Sequence, residues 1–150
     1  MTNEPESAVL QPVKIKTVPT FKEGIPNEFF NLIKEYFAHS DRERLLELLN
    51  SSSSAGEPLV FNGAGNQLAD AFKQLFDSNL IVGCNKAELE KWILQNFKYC
   101  DKGVSKNYTE KYLQDIISSN TKACRSPLFD VRKAPGGQFY LSLLSRNNRK

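Results

Sequence analysis

The hydrophobic residues of this chain recur mainly at intervals of three and four positions, which places them on one face of an α-helix. Five stretches have this spacing, and each predicts a helix. Two of the five open with a helix-capping pair, Ser40 with Glu43 and Asn85 with Glu88. The helical stretches are Phe29–Phe37, Leu45–Leu49, Leu68–Phe76, Leu89–Phe97 and Tyr108–Ile117.

Short apolar runs between the helical stretches predict a few strands. Val13–Val18 alternates apolar and polar residues, and Leu59–Phe61 is an apolar run that ends at a turn signal, Asn62-Gly63. Leu80–Val82 fits either a strand or the end of a helix, and Phe139–Leu144 fits either a strand or a short helix. The sequence therefore predicts an α+β fold that is predominantly helical, a helical bundle with a few short strands.

Proline and serine positions indicate how the chain is divided. Four prolines interrupt residues 1–26, which predicts an extended or disordered leader, because proline removes backbone donors and breaks helices. Residues 27–145 are predicted to form a single mostly helical domain, and residues 146–150 a basic tail. The Ser-rich segment 51–57 is either a linker between two units or a surface loop, and the loop is favoured because residues 27–49 are short for an independent core.

Charge is distributed unevenly along the chain. The whole sequence has 20 Lys/Arg and 17 Asp/Glu residues, a net charge of +3. Residues 76–150 hold thirteen of the basic residues against seven acidic ones, and after Asp115 seven basic residues face Asp130 alone. This skew indicates a polyanionic partner, although the same excess also keeps a protein soluble.

Residues 86–118 predict a helix-turn-helix-like arrangement in the C-terminal half. Two helices are joined by the turn Asp101-Lys102-Gly103, and the second helix is predicted to begin at residues 105–107 with a polar and basic surface. Such a helix presents its first residues to a major groove while nearby cations contact phosphates, so duplex DNA is the predicted ligand. The predicted nucleic-acid-binding residues are Lys106, Lys111, Lys122, Arg125, Arg132 and Lys133.

The sequence contains no recognisable catalytic apparatus. Gly63-Ala64-Gly65 precedes a helix, but the dinucleotide fingerprint requires a third glycine where this chain has Leu68. His39 lies beside Ser40 and Asp41, and adjacent residues at a helix cap do not converge as a catalytic triad. The sequence therefore predicts a binding protein that is not an enzyme and that needs neither a cofactor nor a metal ion.

Cysteine spacing and hydropathy bear on the compartment. Cys84, Cys100 and Cys124 form no close pair, which predicts free thiols in a reducing cytoplasm. Cys84 lies near a helix start, where the helix dipole lowers a thiol pKa, so both a reactive and a packed thiol remain open there. No apolar run reaches the roughly 20 residues that span a bilayer, and Met1–Glu6 lacks the features of a signal peptide. We therefore expect a cytoplasmic protein without membrane contact.

An alternative function is protein–protein interaction. The aromatic helical hairpin that carries Phe29, Phe30, Ile33 and Phe37, or the Pro-rich leader, would then engage another protein. This hypothesis predicts a sizeable exposed apolar patch on the folded monomer, or a dimer that covers one. The oligomeric state is not indicated by the sequence.

Residues 57–118 resemble a region of the RteC family and of related uncharacterised proteins of the Bacteroidetes. The resemblance lies in Leu59–Gly63 and Asn66–Leu68 and in single apolar positions further on, which are Phe72, Leu75, Ile81, Leu89, Ile93 and Phe97. It implies a non-enzymatic protein, in some members a regulator associated with conjugative transposons, and it supplies no catalytic residues. The chain departs from the family pattern, because it is short and its segment Arg125–Lys133 is less basic than the corresponding segment of those regulators.

Overall fold

The structure is a computed structural model that describes residues 18–51, 56–119, 124 and 126–143. Helix accounts for 50% of these residues and strand for 22%. The α+β class is therefore confirmed. The predominantly helical bundle is not, because the strands form three small sheets.

The predicted helices are present, with somewhat different ends. The Asn85–Glu88 capping box forms, since each backbone N–H donates to the side chain of the other residue at 2.8–2.9 Å. Ser40 instead lies inside a 3-10 turn, His39–Asp41. The helices are α1 (Ile25–Ile33), α2 (Arg42–Ser51), α3 (Gly65–Asp77), α4 (Lys86–Asn96) and α5 (Glu110–Leu113), and α5 continues as a π-helical turn over Gln114–Ser118.

Seven short strands are described. They are β1 (Thr20–Phe21), β2 (Leu59–Phe61), β3 (Ile81–Val82), β4 (Phe97–Asp101), β5 (Val104–Asn107), β6 (Phe129–Lys133) and β7 (Phe139–Leu143). Strands β1 and β3 pair antiparallel, as do β6 and β7. In the third sheet, β4 lies between the parallel strand β2 and the antiparallel strand β5. The strand at Leu59–Phe61 is confirmed, and both open alternatives are decided in favour of strands, over Ile81–Val82 and Phe139–Leu143.

The predicted leader is too long. Phe21 pairs with Ile81 across the β1–β3 sheet, and Ile25 and Pro26 are buried in the first turn of α1. Residues 18–26 therefore belong to the folded unit. The strand predicted at Val13–Val18 lies outside the described residues except for Val18, and so does the basic tail at 146–150.

The helix-turn-helix prediction is wrong. Residues 97–107 form a β-hairpin, and the following helix begins only at Glu110, after the N-cap Thr109. Lys102 and Gly103 connect the two strands with φ values of 56° and 80°, the conformation of a type I′ turn that joins tightly paired strands. The helical spacing of Tyr108–Ile117 predicts a start at residues 105–107, but these residues belong to the exposed strand β5.

A core of aromatic rings joins the elements on both sides of segment 51–57. Phe72 contacts Phe29, Trp92 and Phe97 at ring-centroid distances of 5.3–5.7 Å. Phe29, Ile33 and Phe37 are at most 2% exposed. Phe29, Ile33 and Phe37 of the predicted protein-binding hairpin therefore face inward and stabilise the fold, and Phe30 is half-buried against the same core.

Candidate nucleic-acid interface

The last two strands form a projecting structure that we call the arm, residues 129–143. At its base, Phe129 is fully buried and Leu141 is 8% exposed. Beyond Val131, every residue from Arg132 to Tyr140 is exposed except the half-buried Ala134. The arm is thus inserted in the core at one end and surrounded by solvent at the other.

Two long side chains hold the base of the arm at its opposite edges. On the β6 side, Gln74 of α3 accepts the Val131 N–H at 3.0 Å and donates to the Phe129 carbonyl at 2.7 Å. On the β7 side, Glu28 of α1 accepts the Leu141 N–H at 2.8 Å. These side chains satisfy backbone groups that a third strand would otherwise pair, and they fix the direction in which the arm leaves the core.

The tip of the arm is a tight turn without charged residues. The Ala134 N–H donates to the Gln138 carbonyl at 2.7 Å, and the Gly137 N–H donates back to the Ala134 carbonyl at 2.8 Å. Pro135, Gly136 and Gly137 add little side-chain volume between these residues. The arm consequently ends in a narrow tip.

Just behind the tip, each cation lies opposite an exposed aromatic ring. The strand register pairs Arg132 with Tyr140 and Lys133 with Phe139. Tyr140 is 43% and Phe139 39% exposed. Among the large hydrophobic residues that the structure describes, these two are the exposed aromatic ones. Because cross-strand neighbours have Cβ atoms roughly 5 Å apart, each pair presents a positive charge and a ring together.

The two pairs lie on opposite faces of the arm. Side chains alternate along a strand, so Lys133 and Phe139 share the face of the buried Phe129, whereas Arg132 and Tyr140 lie on the outer face. The Lys133 Nζ is 5.9 Å from the centre of the Phe139 ring, within cation–π range. The Arg132 guanidinium lies 3.4 Å from the carboxylate of Asp130, an exposed ion pair.

The structure does not bring together the four predicted binding residues that it describes. Gln67, in the first turn of α3, donates to the Ser126 carbonyl at 2.8 Å, while Gln74, two turns later, binds β6. The segment that follows Ser126 therefore runs alongside α3 from the start of this helix toward its C-terminal end. Arg132 and Lys133 accordingly lie toward the C-terminal end of α3.

Lys106 and Lys111 lie at the opposite end of α3. Lys106 is the cross-strand partner of Tyr99, whose ring packs on Gly65 at the first position of that helix. Lys111 is exposed on α5 and pairs with Asp115 at 3.5 Å. Lys122 and Arg125 lie outside the described residues.

Charge on the described residues is close to balanced and slightly negative. They include thirteen Lys/Arg and fifteen Asp/Glu, so the basic excess of the whole chain comes from residues outside this part. Among the described residues, positive charge next to exposed rings occurs at the distal part of the arm.

Three tyrosines enclose the start of α3, a feature that the sequence patterns did not reveal. Tyr99, Tyr108 and Tyr112 have mutual ring-centroid distances of 4.9–5.9 Å. The Tyr108 hydroxyl donates to the Gly65 carbonyl at 2.7 Å, and burial raises the Tyr108 pKa well above its usual value. A side chain at Gly65 would lie 2.9 Å from the Tyr99 ring, so the cluster requires glycine there.

The other candidate motifs have structural roles. At Gly63-Ala64-Gly65, the Ala64 N–H already donates to the Gln67 side chain at 3.3 Å. Asp41 pairs with Arg44 at 3.7 Å, and His39 is exposed beside it. Burial, with a smaller effect from Glu88, raises the Cys84 pKa to about 11, which favours the packed thiol over the reactive one.

An open cleft of about 310 Å³ lies between α4 and α5, lined in part by Glu88, Glu90 and Glu110. Glu90 is 4% exposed and accepts a hydrogen bond from the Ser118 hydroxyl, and Glu88 is engaged in the capping box of α4. Among the described residues, no group of three or more His, Cys, Asp or Glu side chains is placed to hold a metal ion. In the same part of the chain, no helix has the length and apolar character to cross a membrane.

Comparison with known proteins gives no match: no family model, no curated protein and no solved structure corresponds to this chain. The resemblance to the RteC family accordingly stays a prediction. Sequence reasoning identified Arg132 and Lys133 but not their partners Phe139 and Tyr140. The Pro-Gly-Gly turn between two runs of strand-forming residues is the signal that pairs them.

Proposed function

We propose that this protein binds nucleic acid and that the distal part of the arm is its contact surface. The observation that supports this function is the pairing of Arg132 with Tyr140 and of Lys133 with Phe139 on an exposed two-stranded ribbon. Cations contact phosphates, and aromatic rings stack on bases. A surface that combines both groups fits a nucleic acid better than it fits a small anion.

The shape of the arm supports the same function. A two-stranded ribbon is narrow enough to enter a groove of a duplex or to lie along a single strand. The small residues at the tip allow close approach to a backbone. Gln74 and Glu28 hold the base of the arm, so its distal residues are positioned before the ligand arrives and less conformational entropy is lost on binding.

The protein would then act as an accessory or regulatory protein without catalysis of its own. The described residues offer a binding surface on the arm, and the cleft carboxylates Glu88 and Glu90 are engaged in a helix cap and in a hydrogen bond with Ser118. The proposal also includes a role on a bacterial mobile element, which is supported by the resemblance to the RteC family alone.

The test is a salt titration of binding to labelled oligonucleotides, both duplex and single-stranded, with the double variant Arg132→Gln/Lys133→Gln. We expect binding at low salt that weakens as salt is added, because phosphate contacts release counterions. Each phosphate contact contributes roughly 0.7 to the steepness of log K against log salt on single strands and roughly 0.9 on duplex. Loss of two contacts should therefore make the slope less steep by about 1.4 on single strands and about 1.8 on duplex.

The matched control is Lys22→Gln/Lys91→Gln, which removes the same charge from two exposed lysines outside the arm. It should leave the slope nearly unchanged if the arm is the contact surface. Equal losses in both double variants would show that only net charge matters. If the unmodified protein binds no oligonucleotide even at low salt, the proposal is wrong and the exposed rings serve another partner.

A further inference from the structure

We infer that the arm is specific for single-stranded nucleic acid, with one base stacked on Tyr140 and a neighbouring phosphate bound by Arg132. This inference rests on the proposed function and names its ligand class. It follows from which ring of the arm is open, from the charge of the surrounding surface and from the chemistry at the tip.

The two exposed rings of the arm differ in availability. One face of the Phe139 ring is approached by the Lys133 ammonium, and this pair lies on the face of the arm that turns toward the core. Tyr140 lies on the outer face and is 43% exposed. A flat ligand therefore has free access to Tyr140, where an aromatic side chain and a base can stack directly.

Arg132 is placed to bind the phosphate that accompanies such a base. It is the cross-strand neighbour of Tyr140 on the same face, and its contact with Asp130, at 3.4 Å, is long and exposed. An exposed ion pair of this kind contributes little to stability. A phosphate can therefore replace Asp130 as the partner of the guanidinium at little cost.

On the part of the chain that the structure describes, the charge favours a single strand over a duplex. A duplex carries one negative charge per roughly 1.7 Å of its axis, and proteins that bind it neutralise many phosphates at once. The described residues include fifteen acidic side chains against thirteen basic ones, and Lys106 lies at the far end of α3. A ligand that needs few phosphate contacts and gains affinity from stacking fits this surface better.

The chemistry at the tip agrees with this choice. Bases in a duplex offer only their edges, which proteins read with hydrogen-bonding side chains. The turn from Ala134 to Gln138 has a single such side chain, that of Gln138. The exposed ring of Tyr140, by contrast, is useful only where bases are unstacked, because it offers a flat surface and not an edge contact.

The test is fluorescence anisotropy at one fixed low salt concentration with labelled oligothymidine, oligouridine of the same length and a duplex of the same length. We expect the single strands to bind more tightly than the duplex, and the first two probes distinguish DNA from RNA. Tyr140→Leu should weaken single-strand binding by about 5- to 150-fold, as expected for loss of one stacked base. Tyr140→Phe keeps the ring and should stay within about twofold of the unmodified protein.

Further outcomes separate this inference from the proposed function. Tighter binding of the duplex, with no effect of Tyr140→Leu, overturns single-strand specificity and leaves nucleic-acid binding by the arm in place. Absence of binding to all three probes overturns both. Because Tyr140 is exposed, the leucine variant should fold normally. A thermal unfolding curve would check that it does. Arg132→Gln should give a second, independent loss of affinity on the same face.

Discussion

The two β-hairpins in the described part of the chain use similar residues in opposite ways. The first, β4–β5 (residues 97–107), gains a third strand from β2, and its Tyr99 turns inward to stack with Tyr112 over Gly65. The second, the arm, has no third strand among the described residues, and its Phe139 and Tyr140 are exposed. In the first hairpin, aromatic rings stabilise the fold, whereas in the second they are available for contact with a ligand.

The difference has an energetic side. A lone two-stranded hairpin is marginally stable in water, so the arm depends on its base for its position. Phe129 supplies buried apolar area there, with its ring 5.8 Å from that of Phe29 in an edge contact. Gln74 and Glu28 complete the backbone pairing at that end. The fold does not depend on the distal residues, so their side chains are available to bind a ligand.

The largest expected effect tests this division within the arm. Phe129→Ala removes a fully buried ring and should lower the free energy of unfolding by about 3–5 kcal/mol, measured by urea denaturation. Phe139→Ala, at the exposed end of the same hairpin, should change it by about 0.5 kcal/mol or less. Similar losses at both positions would contradict the distinction between base and tip.

A second prediction compares Gly65 of α3, on which Tyr99 of the first hairpin packs, with Gly136 at the tip of the arm. Gly65→Ala places a Cβ 2.9 Å from the Tyr99 ring and 3.0 Å from the Tyr112 ring, so the tyrosine cluster must shift. Overpacking of this kind costs about 1–3 kcal/mol. In the arm, a Cβ at Gly136 meets nothing within 4 Å, and Gly136→Ala should leave the thermal midpoint nearly unchanged. A stable Gly65→Ala variant would mean that the tyrosine rings move apart easily.

Much of the fold is predictable from local signals, since the capping box at Asn85 and the strand at Leu59–Phe61 are encoded by a few adjacent residues. The first hairpin is not predicted, because its apolar period is short and weak and the strong helical spacing after Tyr108 predicts a helix that begins at residues 105–107. The Lys102-Gly103 turn is the available signal.

The candidate site was only partly predictable. Arg132 and Lys133 stand out by charge, but their partners depend on strand register. The anchor at Glu28 is 113 residues away from Leu141, and the one at Gln74 is 57 residues away from Val131. Side-chain contacts over such separations leave no periodic pattern in a sequence, so the direction of the arm could be learned only from the structure.

The smallest expected effect concerns the pH dependence of stability at the base of the arm. Asp70 accepts a hydrogen bond from Gln74 at 3.0 Å, beside the contacts that Gln74 makes with β6. Burial raises the Asp70 pKa above its usual value of 3.8, with smaller contributions in the same direction from Asp130 and Asp77. The folded state therefore holds this proton more tightly than the unfolded state does.

It follows that ionisation of Asp70 costs the folded state stability, and that this cost grows as the pH rises from about 3.8 through the raised pKa. Asp70→Asn keeps an acceptor for Gln74 and removes the charge, so its stability relative to the unmodified protein should increase over that pH range and then stay constant. Urea midpoints between pH 4 and pH 7 measure the difference. Asp77→Asn, on the same helix, loses ion pairs with Lys73 and Lys86 and should be slightly less stable at neutral pH. If both variants lose stability at neutral pH, the carboxylate of Asp70 supports the arm in its charged form, and the base of the arm is more polar than its burial indicates.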